Sequence, residues 1–120
     1  MYDHLGLHVK DLKASVRFYE ATLSALGFVL CSQDAGGAGF GPEGEPALWL
    51  YADKGTKAPG VHLAFRAKDR ASVDRFYRDG VKAGGGGNGK PGVRADYGPK
   101  YYAAFLIDPD GNNVEAVCLK

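Results

Sequence analysis

The sequence predicts an α+β domain assembled from two copies of a single β-α-β-β-β unit, with a helix covering one face of each curved sheet. The first observation behind this is a repeat. Displaced by 58 positions, His4-Leu5 falls on His62-Leu63, Lys10-Asp11 on Lys68-Asp69, and Arg17-Phe18-Tyr19 on Arg75-Phe76-Tyr77, seven identities in sixteen positions without a gap. The second is periodicity: in each copy a stretch of period two gives way to apolar residues at helical spacing. The third is size. A chain of 120 residues makes one compact domain, and a copy of about 55 residues is too small to be stable alone, so the copies share a core or a sheet.

Each element has a local reason. In 4–9, Leu5, Leu7 and Val9 face one way and His4, Gly6 and His8 the other, as in a strand with one buried side. Asp11 is a natural N-cap. After it Leu12, Val16, Tyr19, Leu23 and Leu26 form a helical stripe that ends near Gly27. Segments 28–32 and 47–52 read as strands, with a weaker one around Phe40, punctuated by glycines and Pro42. The polar run 54–60 is the expected linker between a first module (1–53) and a second (61–120), within one domain spanning 1–120. In the second module 62–67 is a strand. Val73, Phe76, Tyr77 and Val81 line a helix after Asp69. The glycine run 84–89 reads as a loop, and 101–107 and 113–118 as strands joined by the tight-turn sequence Asp108-Pro109-Asp110-Gly111.

Composition narrows the function. Apolar residues are 45% and charged residues 24%, the balance of a globular domain. Fifteen basic and fourteen acidic residues leave a net charge of +1, without the basic excess of a nucleic-acid binder. No apolar run approaches the roughly 20 residues of a membrane span, and the N-terminal residues lack the apolar core of a signal peptide. With only two cysteines, Cys31 and Cys118, a disulfide scaffold is not expected, and the expected location is the cytoplasm. The glycine loop has neither the spacing nor the Lys-Ser/Thr ending of a phosphate loop, so nucleotide binding is not expected. Cys31 has no recognisable base partner, and Cys118 falls on the helix side of its strand.

Three polar residues stand out. His4 and His62 occupy the same position of the repeat, and strand parity turns both away from the helices. Glu115, between Val114 and Ala116, is turned the same way on the last strand. A carboxylate on such a face is costly unless it is paired or bound to a cation. Two imidazoles and a carboxylate form a ligand set for one divalent transition metal with open positions, and do not distinguish Fe, Mn, Ni, Co and Zn. The alternative is that each is a polar group satisfied within the fold. His8 shares the face of His4 and suits a general base or a substrate contact. Tyr97, Lys100, Tyr101 and Tyr102 precede a strand of that face and are candidate substrate contacts. Trp49 is a candidate cavity wall.

The segments HLGLHVKDL with RFY, GVHLAF and DPDGNNVEAV resemble the vicinal oxygen chelate superfamily, the glyoxalase, bleomycin resistance protein and extradiol dioxygenase family. The resemblance spans nearly the whole chain, with both modules in order. It implies two βαβββ modules whose curved mixed sheets surround a cup-shaped cavity, and a homodimer with sites formed between subunits. It places metal ligands on His4, His62 and Glu115. The fourth ligand of glyoxalase I falls on Trp49, which cannot serve, so three ligands remain, as in the fosfomycin-resistance enzymes and extradiol dioxygenases. Phe105 stands where the fosfomycin-resistance enzymes carry a tyrosine, which points away from fosfomycin and makes Phe105 a candidate substrate contact.

The expected function is a metal-dependent enzyme binding one divalent cation and activating a small oxygen-chelating substrate for isomerisation, thiol addition or oxygenation. Glu115 and His8 are its candidate catalytic residues. No nucleic-acid or membrane partner is expected. The competing expectation is a metal-free, bleomycin-resistance-like protein that sequesters a small molecule in an aromatic cup. A third is a protein with no small ligand.

Overall fold

The computed structural model describes residues 1–53 and 60–120. The segment read as a linker, 54–60, lies outside the described residues except for Gly60. The first module contains β1 (Leu5–Val9), α1 (Leu12–Ala25), β2 (Val29–Gln33), β3 (Gly37–Gly41) and β4 (Leu48–Ala52). The second contains β5 (His62–Arg66), α2 (Arg70–Lys82), β6 (Gly86–Val93), β7 (Tyr102–Ile107) and β8 (Asn113–Cys118). Each module has a four-stranded sheet of the same topology, β1-β4-β3-β2 and β5-β8-β7-β6. In both, the first strand lies parallel to the last and the other pairings are antiparallel.

The helices begin and end where local chemistry dictates. Asp11 and Asp69 each accept a hydrogen bond from the backbone N–H three residues on, Ala14 at 3.1 Å and Ser72 at 2.7 Å. Gly27 and Gly84 follow the helix ends at φ of +91° and +101°, where a side chain would be strained. Between these limits Phe18, Tyr19, Leu23, Val73 and Phe76 are buried. α1 packs on β3 and β4, α2 packs on β7 and β8, and the helices pack on each other. Gly80 permits this approach: a Cβ there would lie 2.3 Å from Leu106 Cδ1 and 2.7 Å from Thr22 Cγ2.

The repeated Arg-Phe-Tyr motif now has a physical explanation. Arg17 Nη2 on α1 donates to the carbonyl of Lys82 at the end of α2 (3.0 Å), and Arg75 Nη2 on α2 donates to the carbonyl of Ala25 at the end of α1 (3.4 Å). Each helix thus supplies a cation to the unsatisfied, partially negative C-terminal carbonyls of the other. Phe18 and Phe76 fill the core beside them.

The Asp108–Gly111 turn does more than reverse the chain. Asp108 accepts from the Tyr19 hydroxyl (2.6 Å), the Asn112 side-chain amide (2.8 Å) and the backbone N–H groups of Asp110 and Asn112 (2.9 and 2.8 Å). Asp110 accepts from Lys10 N–H (2.9 Å) and Ser15 Oγ (3.2 Å). The turn of the second module is therefore fastened to the start of α1 in the first. Burial, and then the neighbouring Asp108 charge, push the Tyr19 phenol well above the usual tyrosine range.

One expected element differs. The glycine run read as a loop at 84–89 instead opens strand β6, whose Gly86 and Gly87 pair with Ile107 and Leu106 of β7. Glycine has no side chain to alternate, so no periodicity announces the strand, and the ladder to β7 overrides its low strand propensity. β6 is an edge strand, which is why Pro91 is tolerated in it.

A candidate metal and substrate site on the outer sheet faces

Strand register assembles the site. On the face of the second sheet turned away from α2, Ala64 of β5 pairs with Glu115 of β8, and Glu115 pairs with Phe105 of β7. His62 is two residues before Ala64 and shares its face. Its Nε2 lies 3.0 Å from Glu115 Oε2, and its Nδ1 lies 3.1 Å from the carbonyl oxygen of Asn113. Glu115 is only 3% exposed, and its second oxygen accepts from the Tyr101 hydroxyl at 2.5 Å. That bond to the carboxylate, aided by some desolvation, pushes the Tyr101 phenol up to about 12. The imidazole also stacks on Phe105, with centroids 6.4 Å apart and planes inclined by 24°.

These contacts specify a donor set. A carbonyl oxygen only accepts, so His62 Nδ1 carries a proton. In the neutral ring Nε2 then presents a lone pair to a carboxylate oxygen. Two acceptors at 3.0 Å require a proton or a cation between them. A backbone carbonyl holding Nδ1–H is also the usual support of a metal-binding imidazole. The His62–Glu115 pair therefore fits a proton shared as an imidazolium–carboxylate ion pair, or a divalent cation in its place, with Tyr101 and the Asn113 carbonyl as its outer supports.

The other expected site residues are dispersed. His4 precedes β1 and pairs with Asp3, Nδ1 to Oδ1 2.7 Å, at the rim of a largely apolar cleft of about 210 Å³ that reaches Leu23, Phe40 and Phe65. It does not meet His62 or Glu115 within one chain, and no three His, Cys, Asp or Glu side chains among the described residues converge to hold a metal. His8 lies on the outer face of β1, with Nδ1 3.2 Å from Asp53 Oδ2 and its ring 5.7 Å from that of Tyr51. Trp49 lies on the same face, its ring over Gly39, where a Cβ would come within 2.7 Å of Cζ3. Tyr97 is exposed and meets Tyr101 edge-on at 5.3 Å, and Lys100 is exposed. Tyr102 is turned away from the site: its hydroxyl donates to Asp74 of α2 at 2.6 Å, and Arg70 lies over its ring.

Sequence reasoning missed three participants. The Asn113 carbonyl is a backbone group and leaves no residue-type signal. Asp53 closes the first module 45 residues after its partner His8, with no local pattern to join the two. Arg94 lies over Phe105, its guanidinium carbon 5.5 Å from the ring centroid. Only the glycines at 89 and 92 hinted that something occupies the sheet surface there.

The sequence profile of the Glyoxalase/Bleomycin resistance protein/Dioxygenase superfamily matches residues 2–116. The chain belongs to this superfamily. Among solved structures it is similar to a glyoxalase/bleomycin resistance protein from Albidiferax ferrireducens T118, with 29% identity, 98% of each chain covered and a TM-score of 0.85. A glyoxalase-related enzyme from Fulvimarina pelagi shares 22% identity over 95% of this chain and 84% of its own, with a TM-score of 0.75. A family enzyme from Burkholderia phytofirmans PsJN shares 18% identity over 98% of each chain, with a TM-score of 0.76, a likeness of fold alone. No curated protein matches the chain. The two βαβββ modules are thus the superfamily's fold, and no helix among the described residues is long and apolar enough to cross a membrane.

Proposed function

We propose that this superfamily member is a metal-dependent enzyme that works as a homodimer in the cytoplasm, with His62 and Glu115 of one chain and His4 of a second copy holding one divalent cation. The observation that carries this reading is the His62–Glu115 pair, in which an imidazole held at Nδ1 by the Asn113 carbonyl sets Nε2 3.0 Å from a buried carboxylate. The dimer is supported by the edges of the sheets. Among the described residues β1 and β5 each pair on one side only, and they carry or adjoin His4, His8 and His62. A β1 edge meeting the β5 edge of a second copy joins the half-sites.

When bound, the cation supplies Lewis acidity to a substrate oxygen, for isomerisation, thiol addition or oxygenation. The chain's own residues do the rest. Tyr101 holds Glu115 in one orientation, and Phe105 and Trp49 form apolar walls that exclude water. His8, oriented through Nδ1 by Asp53, offers Nε2 as a proton acceptor.

The test is metal content by elemental analysis on untagged protein purified without chelator, with Mn2+ titration of the wild type, His62→Ala, Glu115→Gln and His4→Ala. Near-stoichiometric metal that all three substitutions reduce is the expected result, with a sedimenting mass twice the 12.8 kDa of the chain. Absence of metal uptake, or uptake unchanged in Glu115→Gln and His62→Ala, overturns it and favours small-molecule sequestration between Trp49 and Phe105.

A further inference from the structure

The glycine-rich strand β6 raises the question of what its missing side chains make room for. On the outer face of β6 the answer is Arg94. A Cβ at Gly89 would lie 3.2 Å from Arg94 Nη2, and one at Gly92 would lie 3.1 Å from Nη1. The guanidinium is half-buried between these positions and Phe105. Nη2 donates to the Lys90 carbonyl at 2.6 Å, which fixes the plane of the group. The backbone fixes its root as well: Arg94 N–H donates to the Tyr101 carbonyl (2.8 Å) and Tyr97 N–H to the Arg94 carbonyl (3.0 Å), closing the neck of the β6–β7 connection. Arg94 and Tyr101 thus face each other across one hairpin neck, one aimed at Phe105 and the other at Glu115.

A guanidinium oriented this firmly presents a rigid fork of N–H donors whose geometry matches a carboxylate or a phosphate. Among the described residues none forms an ion pair with Arg94. One of its five N–H donors is occupied by Lys90, and the ring of Phe105 covers only a face of the group. The remaining fork is preorganised, weakly hydrated and one aromatic ring away from His62, since Phe105 contacts both.

We propose that Arg94 is the anion-recognising residue of this site and that the substrate carries an oxyanion, a carboxylate or a phosphoryl group, beside the atoms that reach the metal ligands. The proposal rests on the reading of His62 and Glu115 as the active face. It also gives the outer glycines of β6 a role: they clear the surface so that a planar cation can lie flat on it.

The test uses benzoate, phenylphosphonate and their uncharged relative benzamide as probes, titrated calorimetrically into the full protein, both Mn2+-loaded and EDTA-treated. The wild type should prefer a charged probe over benzamide by about tenfold or more in both forms. Arg94→Gln should remove the preference, and Arg94→Lys should keep only part of it because a point charge replaces a fork. Mn2+ affinity should be the same in all three proteins. A benzoate preference identifies a carboxylate substrate, and a phenylphosphonate preference a phosphoryl one. Equal binding of all three probes, no binding at millimolar concentration, or a preference that survives in Arg94→Gln overturns the proposal. Failure of Mn2+ to bind at all refutes the metal reading instead, while the charge preference of the EDTA-treated protein still decides the role of Arg94.

Discussion

Tyr101→Phe removes one hydroxyl and probes the support of Glu115 directly. The carboxylate is buried, and Oε1 has the phenol as its partner at 2.5 Å. A buried oxygen that loses a hydrogen bond costs about 1–3 kcal/mol. Tyr101 is itself partly exposed, so water reaches the vacated position and the loss should sit near the lower bound, about 1 kcal/mol. For a chain of 120 residues the unfolding entropy is on the order of 0.25 kcal/mol/K, so Tm should fall by about 4 °C. The sign of the pH dependence follows from the phenol, which the fold holds in its neutral form up to about 12 instead of the ordinary 10. Its stabilisation is therefore complete below pH 10 and lost as pH rises from there through 12. Calorimetric melting at neutral pH checks the first number. The difference between wild-type and variant absorbance titrations at the tyrosinate band checks the second, since it isolates one phenol with a midpoint near 12. A midpoint at the ordinary tyrosine value, or an unchanged Tm, refutes the claim that Tyr101 supports Glu115.

Two further substitutions test the frame around the site. Tyr19→Phe deletes a fully buried hydrogen bond to Asp108 and should cost about 1.5–3 kcal/mol, read by urea melts, whereas a loss within error means the turn does not fasten the modules. Gly39→Ala should lift the Trp49 ring off the sheet; with a single tryptophan in the chain, its emission spectrum reports the change, and an unshifted spectrum contradicts the stacked arrangement.

How far the sequence was legible depends on the range of the interactions. The helices announced themselves because an N-cap aspartate, an apolar stripe and a terminal glycine are local signals, and the aspartates that cap α1 and α2 stand at the same repeat position. The shared face of His62 and Glu115 followed from parity, which survives without knowledge of the register. The contacts that complete that face did not follow. Arg94 and the Asn113 carbonyl act through a chain reversal and a backbone atom, Asp53 meets His8 in the other sheet through the β1–β4 pairing, and β6 has no side-chain alternation to read. The repeated arginines were visible, but their partners are carbonyls 65 and 50 residues away, and only the packing of the two helices reveals why both copies keep them.

The arrangement of edges ties these observations to the proposed function. A sheet edge exposes a row of unpaired N–H and C=O groups, and chains usually blunt or cover such edges. Here β6, an outer edge of the second sheet, is blunted by Pro91 and by its irregular register to β7. β5 has neither device: it is a regular strand in unbroken register with β8, and it begins at the residue that faces the buried carboxylate. β1 is equally regular against β4, and it begins one residue after His4. β2, the remaining edge, is irregular in its register to β3, so among the described residues the two regular, unpaired edges are the two that carry imidazoles. An edge kept regular and unprotected is explained if something pairs with it, and a half-assembled ligand set is explained by the same event. Two β1–β5 pairings related by the two-fold of a dimer would cover both edges of each copy and complete the metal sites. Loss of the dimer in solution should then weaken metal binding in proportion, even with His4, His62 and Glu115 all unchanged.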